Sequence, residues 1–72
     1  MKKAIKFLQE RHPWLSYSDA KILIIDSYER HKSQNRYGAM AKALIGIDIG
    51  IFARESESEI KGRLAVIKEW QP

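Results

Sequence analysis

The chain has 72 residues, including 13 Lys or Arg, nine Asp or Glu, two His and no Cys. This length predicts one domain over residues 1–72 and excludes a second. Without Cys the chain has no disulfide framework, no thiolate metal site and no thiol nucleophile. No apolar run approaches the roughly 20 residues that cross a bilayer, and we expect no secretory signal. The expected location is therefore cytoplasmic.

The net charge favours an anionic partner. It is +4, with an isoelectric point near 9.6. Residues 1–18 carry four basic residues against one acidic residue, and residues 35–54 carry three against one. Residues 55–72 instead carry four acidic residues against three basic ones. The basic surplus is typical of nucleic-acid-binding proteins, although many small basic proteins bind no nucleic acid. If the protein binds DNA, we expect it to be nucleoid-associated.

The first predicted helix spans Lys2–Arg11. Ala4, Ile5 and Leu8 recur at helical spacing and form an apolar face, with lysines on the other side. Pro13 ends the helix, because the residue before a proline is driven out of the helical region. The lysine face could be an ordinary solvated surface, a source of phosphate contacts or a membrane-surface helix. We favour the solvated surface and expect no membrane binding.

The second predicted helix begins near Ser16 and runs for about 15 residues. An acid, Asp19, follows Ser16 by three residues, which resembles a capping box, although Ser18 could be the cap instead. The apolar run Ile22–Ile25 is also compatible with a buried strand, but the length and the polar flanks favour a helix. Its apolar face comprises Ala20, Leu23, Ile24 and Tyr28.

The third predicted helix spans residues 36–45. Its apolar positions at helical spacing are Tyr37, Met40, Ala41 and Leu44. Gly46 follows directly and is expected to cap the C-terminus of this helix. Residues 47–52 alternate like a strand, but a lone strand has nothing to pair with. We therefore expect an irregular apolar connector that packs on the core.

The fourth predicted helix has the clearest start. Ser56 and Glu59 form an S-x-x-E capping box, and the acidic first turn suits the positive end of the helix dipole. Its buried face should contain Ile60, Leu64 and Ile67, extended by Val66 or Trp70. Four helices and no paired strand predict a small all-α domain.

Two segments carry a family resemblance. Residues 37–44 read Tyr-Gly-Ala-Met-Ala-Lys-Ala-Leu, and residues 60–63 read Ile-Lys-Gly-Arg. This part of the chain resembles the Myb/SANT branch of the homeodomain-like three-helix domains. The resemblance implies that the last three helices form a homeodomain-like helix-turn-helix. It also implies sequence-preferring binding of double-stranded DNA, by a small transcriptional regulator or architectural protein.

A last helix that enters the major groove needs long hydrogen-bond donors on one exposed face and apolar residues on the other. Ser58 and Lys61 share one face and are expected to reach base edges. The cations expected to hold phosphates are Arg36, Lys42, Arg54, Arg63 and Lys68. A monomer of this size would bind DNA weakly, so a homodimer on DNA is plausible.

The alternative to DNA contact is that the last helix faces solvent and that its own acidic and basic residues neutralise each other. In that case Lys61, Arg63 and Lys68 would pair with Glu57, Glu59 and Glu69. The chain also departs from the family pattern in four ways. Gly46–Arg54 stands where the family has a short turn, and the acidic cluster usual at the start of the first family helix is missing. Gly62 replaces a common amide, and glutamates crowd the start of the reading helix.

A rival function is a protein-interaction module or small inhibitor that binds another protein or a second copy. Its contacts would come from the apolar segment, at Ile47, Ile49, Ile51 and Phe52, and from the last helix. Such a patch would be exposed if so small a core cannot bury it.

Catalysis, metal binding and cofactors are not expected. His12 and His31 have no third ligand at useful spacing, so helix capping or solvent exposure explains them better than a metal. No nucleophile motif is present, and a bundle of this size has little room for a catalytic pocket.

Overall fold

A computed structural model describes residues 1–70 of the chain. These residues form four helices and no strand: α1 (Lys2–Arg11), α2 (Tyr17–Ser33), α3 (Gly38–Arg54) and α4 (Glu57–Trp70). The all-α prediction is confirmed. The bounds of α1 agree with the predicted helix, and the segment Ile22–Ile25 is helical rather than a strand.

Short-range hydrogen bonds set the boundary between α1 and α2. The His12 amide donates to the Leu8 carbonyl at 2.8 Å and closes the last turn of α1. Ser16 is the N-cap of α2, because its Oγ accepts a hydrogen bond from the Asp19 amide at 3.1 Å. The N-cap of α2 is therefore Ser16 and not Ser18.

The turn between α2 and α3 is a Schellman motif. The Arg36 amide donates to the His31 carbonyl and the Asn35 amide to the Lys32 carbonyl, both at 3.0 Å. Asn35 adopts the left-handed region with φ of 59°, which asparagine tolerates better than most residues. Gly38 begins α3 with φ of +62°, so the predicted start at Arg36 is two residues early.

The predicted end of the third helix is wrong. Gly46 lies inside α3 rather than capping it, and residues 47–52 are helical rather than an irregular connector. As a helix, this segment turns Asp48, Ile49 and Phe52 toward the rest of the protein. Burial of these side chains and continued backbone hydrogen bonding outweigh the helix penalty of about 1 kcal/mol for each glycine.

Helix α2 is the centre of the bundle. It packs against α1, α3 and α4, while α1 also packs against α3. The buried core contains Ile5, Leu8, Leu15, Ala20, Leu23, Ile24, Phe52, Ile60, Leu64 and Ile67. The predicted inner face of α4 is thus confirmed at its three main positions. Its proposed extension is wrong, because Val66 and Trp70 are 55% and 82% exposed.

Helices α3 and α4 are joined by two residues, Glu55 and Ser56. The predicted long insertion at Gly46–Arg54 is therefore wrong, since those residues belong to α3 itself. This connection is shorter than the three- or four-residue turn that is typical of a helix-turn-helix. The homeodomain-like arrangement of the last three helices stays a prediction.

Candidate interaction surfaces

The predicted reading face of α4 is occupied by local contacts. Lys61 Nζ lies 2.9 Å from Glu57 Oε2 and 5.5 Å from the centroid of the Trp14 ring. The Oγ of Ser58 is 3.2 Å from the Oγ of Ser56. Both Ser58 and Lys61 are exposed. An exposed ion pair one helical turn apart contributes at most about 0.5 kcal/mol, so Lys61 can exchange its partner at little cost.

Arg63 is held much more firmly. Its Nε donates to Glu55 Oε1 at 3.2 Å and its Nη2 donates to Glu55 Oε2 at 2.6 Å. This bidentate ion pair spans the α3–α4 turn. The guanidinium also lies 4.9 Å from the centroid of the Phe52 ring. The predicted pairing with Glu59 is therefore wrong, and the partner lies before the helix rather than on it.

Lys68 is also neutralised, but by another helix. Its Nζ lies 2.9 Å from Asp19 Oδ1, so α4 is linked to the first turn of α2. The predicted partner Glu69 does not fill this role. Adjacent helix residues point in different directions, whereas packing brings Asp19 within reach.

Ser56 and Glu59 form the predicted capping box. The Ser56 amide donates to Glu59 Oε1 at 3.0 Å, and the Glu59 amide donates to Ser56 Oγ at 3.3 Å. The backbone hydrogen bond from Ser56 holds the pKa of Glu59 below its usual value. Glu59 is therefore ionised at neutral pH and contributes to the acidic start of α4.

Arg36 and Lys42 come together at the start of α3. They line one small cleft of about 240 Å³ with Tyr28 and Tyr37. Tyr37 is the N-cap of α3 and gives no side-chain capping bond, so the first amides of the helix lack that partner. Arg54 lies at the opposite end of α3, about 18 Å from Lys42 along the axis. Within residues 1–70 none of these three cations forms an ion pair.

The outer side of α3 is an apolar surface. Ile47 and Ile51 are one turn apart and are 58% and 39% exposed. Met40 and Ala43 extend the same side and are also exposed. We call these four residues the α3 outer face.

Two of the predicted partner contacts do not belong to this face. Phe52 is buried in the core, and Ile49 packs against the core. The Phe52 carbonyl accepts a hydrogen bond of 2.7 Å from His12 Nε2. In a helix these two positions fall on the inner side, whereas an extended chain would have placed Ile47, Ile49 and Ile51 together.

A buried polar cluster joins α2 to α3 and was not predicted from the sequence. Ser27 Oγ donates to Asp48 Oδ2 at 2.5 Å, and His31 Nε2 lies 2.9 Å from the same oxygen. Arg30 Nη2 is 3.6 Å from it. Burial raises the pKa of Asp48, but the hydrogen bonds from Ser27 and His31 and the charge of Arg30 outweigh burial and hold the pKa below its usual value.

The cluster does not form a nucleophile relay. Ser27 and His31 both contact Asp48 instead of each other, so the imidazole is not placed to take the serine proton. His12 is the C-cap of α1, which confirms the capping alternative for this residue. The alternative of solvent exposure is wrong, because both histidines are buried: His12 contacts the end of α3 and His31 belongs to the cluster. Over residues 1–70 no group of three His, Asp or Glu side chains could hold a metal ion. The signal in the sequence was the spacing of Ser27 and His31, one turn apart on the inner side of α2.

The chain was compared with protein-family models, curated proteins and solved structures. No family model, curated protein or solved structure matches it. None of the helices within residues 1–70 has the length and apolar character needed to span a bilayer.

Proposed function

We propose that this chain is a protein-binding module that uses the α3 outer face. The observation that carries the proposal is the exposure of Ile47 and Ile51, one turn apart on a helix whose opposite side is already in the core. Only Lys42, Asp48 and Arg54 are charged in this 17-residue helix, and Asp48 belongs to the polar cluster. A helix that is apolar on both sides needs a second neighbour to remove its outer side from water.

The geometry suits the docking of a partner helix or groove. Side chains at i and i+4 act as paired anchors in helix-in-groove recognition. Burying a fully exposed isoleucine contributes about 1.5–3 kcal/mol, and the exposed surface of Ile47 and Ile51 together amounts to roughly one such side chain. The two anchors therefore supply a minority of the roughly 8 kcal/mol of a micromolar affinity, and surrounding contacts must supply the rest.

Charge pairing on α4 supports protein binding over DNA reading. The three cations of α4 that were expected to face DNA each lie within hydrogen-bonding distance of a carboxylate. Removing Arg63 from Glu55 would break a two-point charged contact that is partly buried. The α3 outer face requires no such rearrangement.

The experiment is site-specific photocross-linking in cells that produce the protein. A photoreactive residue at position 47 should give discrete adducts, while the same residue at the exposed position 21 on α2 should not. Mass spectrometry of the adduct distinguishes a second copy from a different protein. The identified partner, once purified, should bind wild type and lose binding to Ile47→Asp. Identical adducts at positions 47 and 21, or unchanged binding of Ile47→Asp, would overturn the proposal.

A second candidate is DNA binding, which the cleft at the start of α3 favours. Arg36 and Lys42 flank a helix N-terminus without a side-chain cap, and such a terminus attracts phosphate. In this proposal Ser58 and Lys61 read base edges, while Arg54, Arg63 and Lys68 add to the phosphate contacts of Arg36 and Lys42. The salt dependence of duplex binding, described in the Discussion, tests this candidate.

A further inference from the structure

A groove runs between α2 and α4 on a surface separate from the α3 outer face. Its volume is about 770 Å³, and its apolar wall contains Ile25, Val66, Ile67 and Trp70. Ile67 is largely buried and supports the floor, whereas Val66 and Trp70 are 55% and 82% exposed. Tryptophan is enriched among residues that dominate binding energies at protein interfaces.

Gly62 opens one end of this groove. A Cβ at this position would meet no other atom within 4 Å, so the space above the backbone is empty. Gly62, Val66 and Trp70 recur at i, i+4 and i+8 and form a track along α4. From Gly62 to Trp70 this track is about 12 Å long, which matches a little over two turns of a docked helix.

The rim of the groove is acidic although the whole protein is basic. Four carboxylates line it, from Asp26, Glu29, Glu55 and Glu59, against two arginines. Both arginines already form ion pairs within the rim: Arg30 lies 3.1 Å from Asp26, and Arg63 pairs with Glu55.

Two acidic groups of the rim remain for a partner. Glu29 forms no ion pair among residues 1–70, and the capping bond leaves Glu59 charged. The groove therefore attracts cations and repels polyanions.

We propose that this groove binds a basic amphipathic helix of another protein. Apolar side chains of the partner, spaced one turn apart, enter the space over Gly62 and pack on Val66 and Trp70. Lysines or arginines that flank those side chains face Glu29 and Glu59 on the rim. The proposal does not rest on the α3 outer face, because the two surfaces share no residue.

The test measures binding of a designed peptide by the fluorescence of Trp70, with Trp14→Phe as the background so that Trp70 is the one reporter. The probe is a Leu/Lys peptide of roughly 14 residues, whose leucines recur at i, i+3, i+4 and i+7 over four turns. A Leu/Glu peptide of the same pattern and a Leu/Lys peptide of scrambled order are the controls. We expect a blue shift with the Leu/Lys peptide alone, and weaker binding as NaCl rises from about 0.05 to about 0.3 M.

Glycine variants locate the binding site. Gly62→Leu fills the groove and should weaken peptide binding by about tenfold or more. It replaces glycine in a helix interior, so the fold should be retained. Gly46→Leu is the matched control, because that glycine also has open space above it but lies on α3. Glu29→Lys should weaken binding by a charge effect that salt removes. Equal affinity of Gly62→Leu and wild type, or equal affinity for the Leu/Glu peptide, would overturn the proposal.

A double comparison separates this groove from the α3 outer face. Val66→Asp should lose the peptide and keep the partner that is cross-linked at position 47. Ile47→Asp should do the reverse. If Ile47→Asp loses the peptide as Val66→Asp does, the groove is not a separate site and this inference fails while the proposed function stands.

Discussion

Ser27 on α2 donates a 2.5 Å hydrogen bond to Asp48 on α3, so a carboxylate in an otherwise apolar segment has a partner on the central helix. His31 contacts the same oxygen. This relationship fixes the rotation of α3 about its axis, which turns Phe52 inward and Ile47 outward.

Removing the Asp48 carboxylate should destabilise the fold. Asp48→Ala leaves the buried Ser27 hydroxyl and the His31 ring without their acceptor, at an expected cost of about 2–4 kcal/mol. Urea unfolding followed by circular dichroism measures this loss. Lys68→Ala, which breaks a more exposed ion pair, is the control and should cost less than about 1 kcal/mol. Similar losses for the two variants would contradict a structural role of the cluster.

The same carboxylate should make stability dependent on acid pH. Because the pKa of Asp48 is lower in the folded protein than its usual value of 3.8, its contribution is complete above the unfolded pKa. That contribution is lost as the pH falls from the unfolded value through the folded one. The difference in unfolding free energy between wild type and Asp48→Asn should therefore shrink below about pH 4. A difference that stays constant to the end of the acid range would exclude the lowered pKa.

The substitution Gly46→Ala distinguishes a glycine that lies inside α3 from a glycine that caps the C-terminus of the helix. If Gly46 lies inside α3, Gly46→Ala should stabilise the protein by about 0.5–1 kcal/mol, because alanine is the better helix former. If Gly46 capped the helix in a left-handed conformation, the same change would be destabilising. Gly38→Ala is the comparison, since Gly38 has φ of +62° and should lose about 1 kcal/mol. Thermal unfolding of the two variants measures whether each substitution raises or lowers the stability of the fold.

Loss of the α4 capping box should be measurable in stability. Ser56→Ala removes the acceptor for the Glu59 amide, at a cost of about 1 kcal/mol. Ser58→Ala removes a neighbouring exposed hydroxyl that caps no amide and should be nearly neutral. The urea unfolding midpoints of the two variants test this assignment. A larger loss of stability for Ser58→Ala than for Ser56→Ala would show that Ser56 is not the cap.

The DNA candidate predicts a defined salt dependence. The logarithm of the duplex association constant should fall linearly with the logarithm of the salt concentration, by about 0.9 for each phosphate neutralised. Arg36→Ala combined with Lys42→Ala should reduce the slope by about 1.8. Lys21→Ala is the control and should leave the slope unchanged, because Lys21 is an exposed cation of α2 outside the proposed phosphate contacts. Absence of duplex binding at low salt would remove this candidate and leave the protein-binding proposal unaffected.

Base readout by the last helix has a separate signature. If Lys61 contacts a base edge, Lys61→Ala should cost about 1–3 kcal/mol on a preferred site and reduce discrimination there. A uniform loss across unrelated duplexes would assign Lys61 to phosphate instead.

Local sequence signals were sufficient to predict the helical class and those helix boundaries that depend on a few neighbouring residues. Pro13 and Ser16 mark the boundary between α1 and α2, and Ser56 with Glu59 marks the start of α4. These signals succeed because a cap or a proline acts on backbone groups within one turn of itself.

The course of residues 46–54 and the ion-pair partners of the α4 cations depend instead on packing between helices. A glycine can cap a helix or lie within one, and the choice depended on Asp48 and Phe52 meeting partners on α2 and in the core. Lys68 found Asp19 across a helix interface rather than a neighbour on α4. Contacts between residues far apart in the chain depend on how the helices pack, so the local sequence pattern does not predict them.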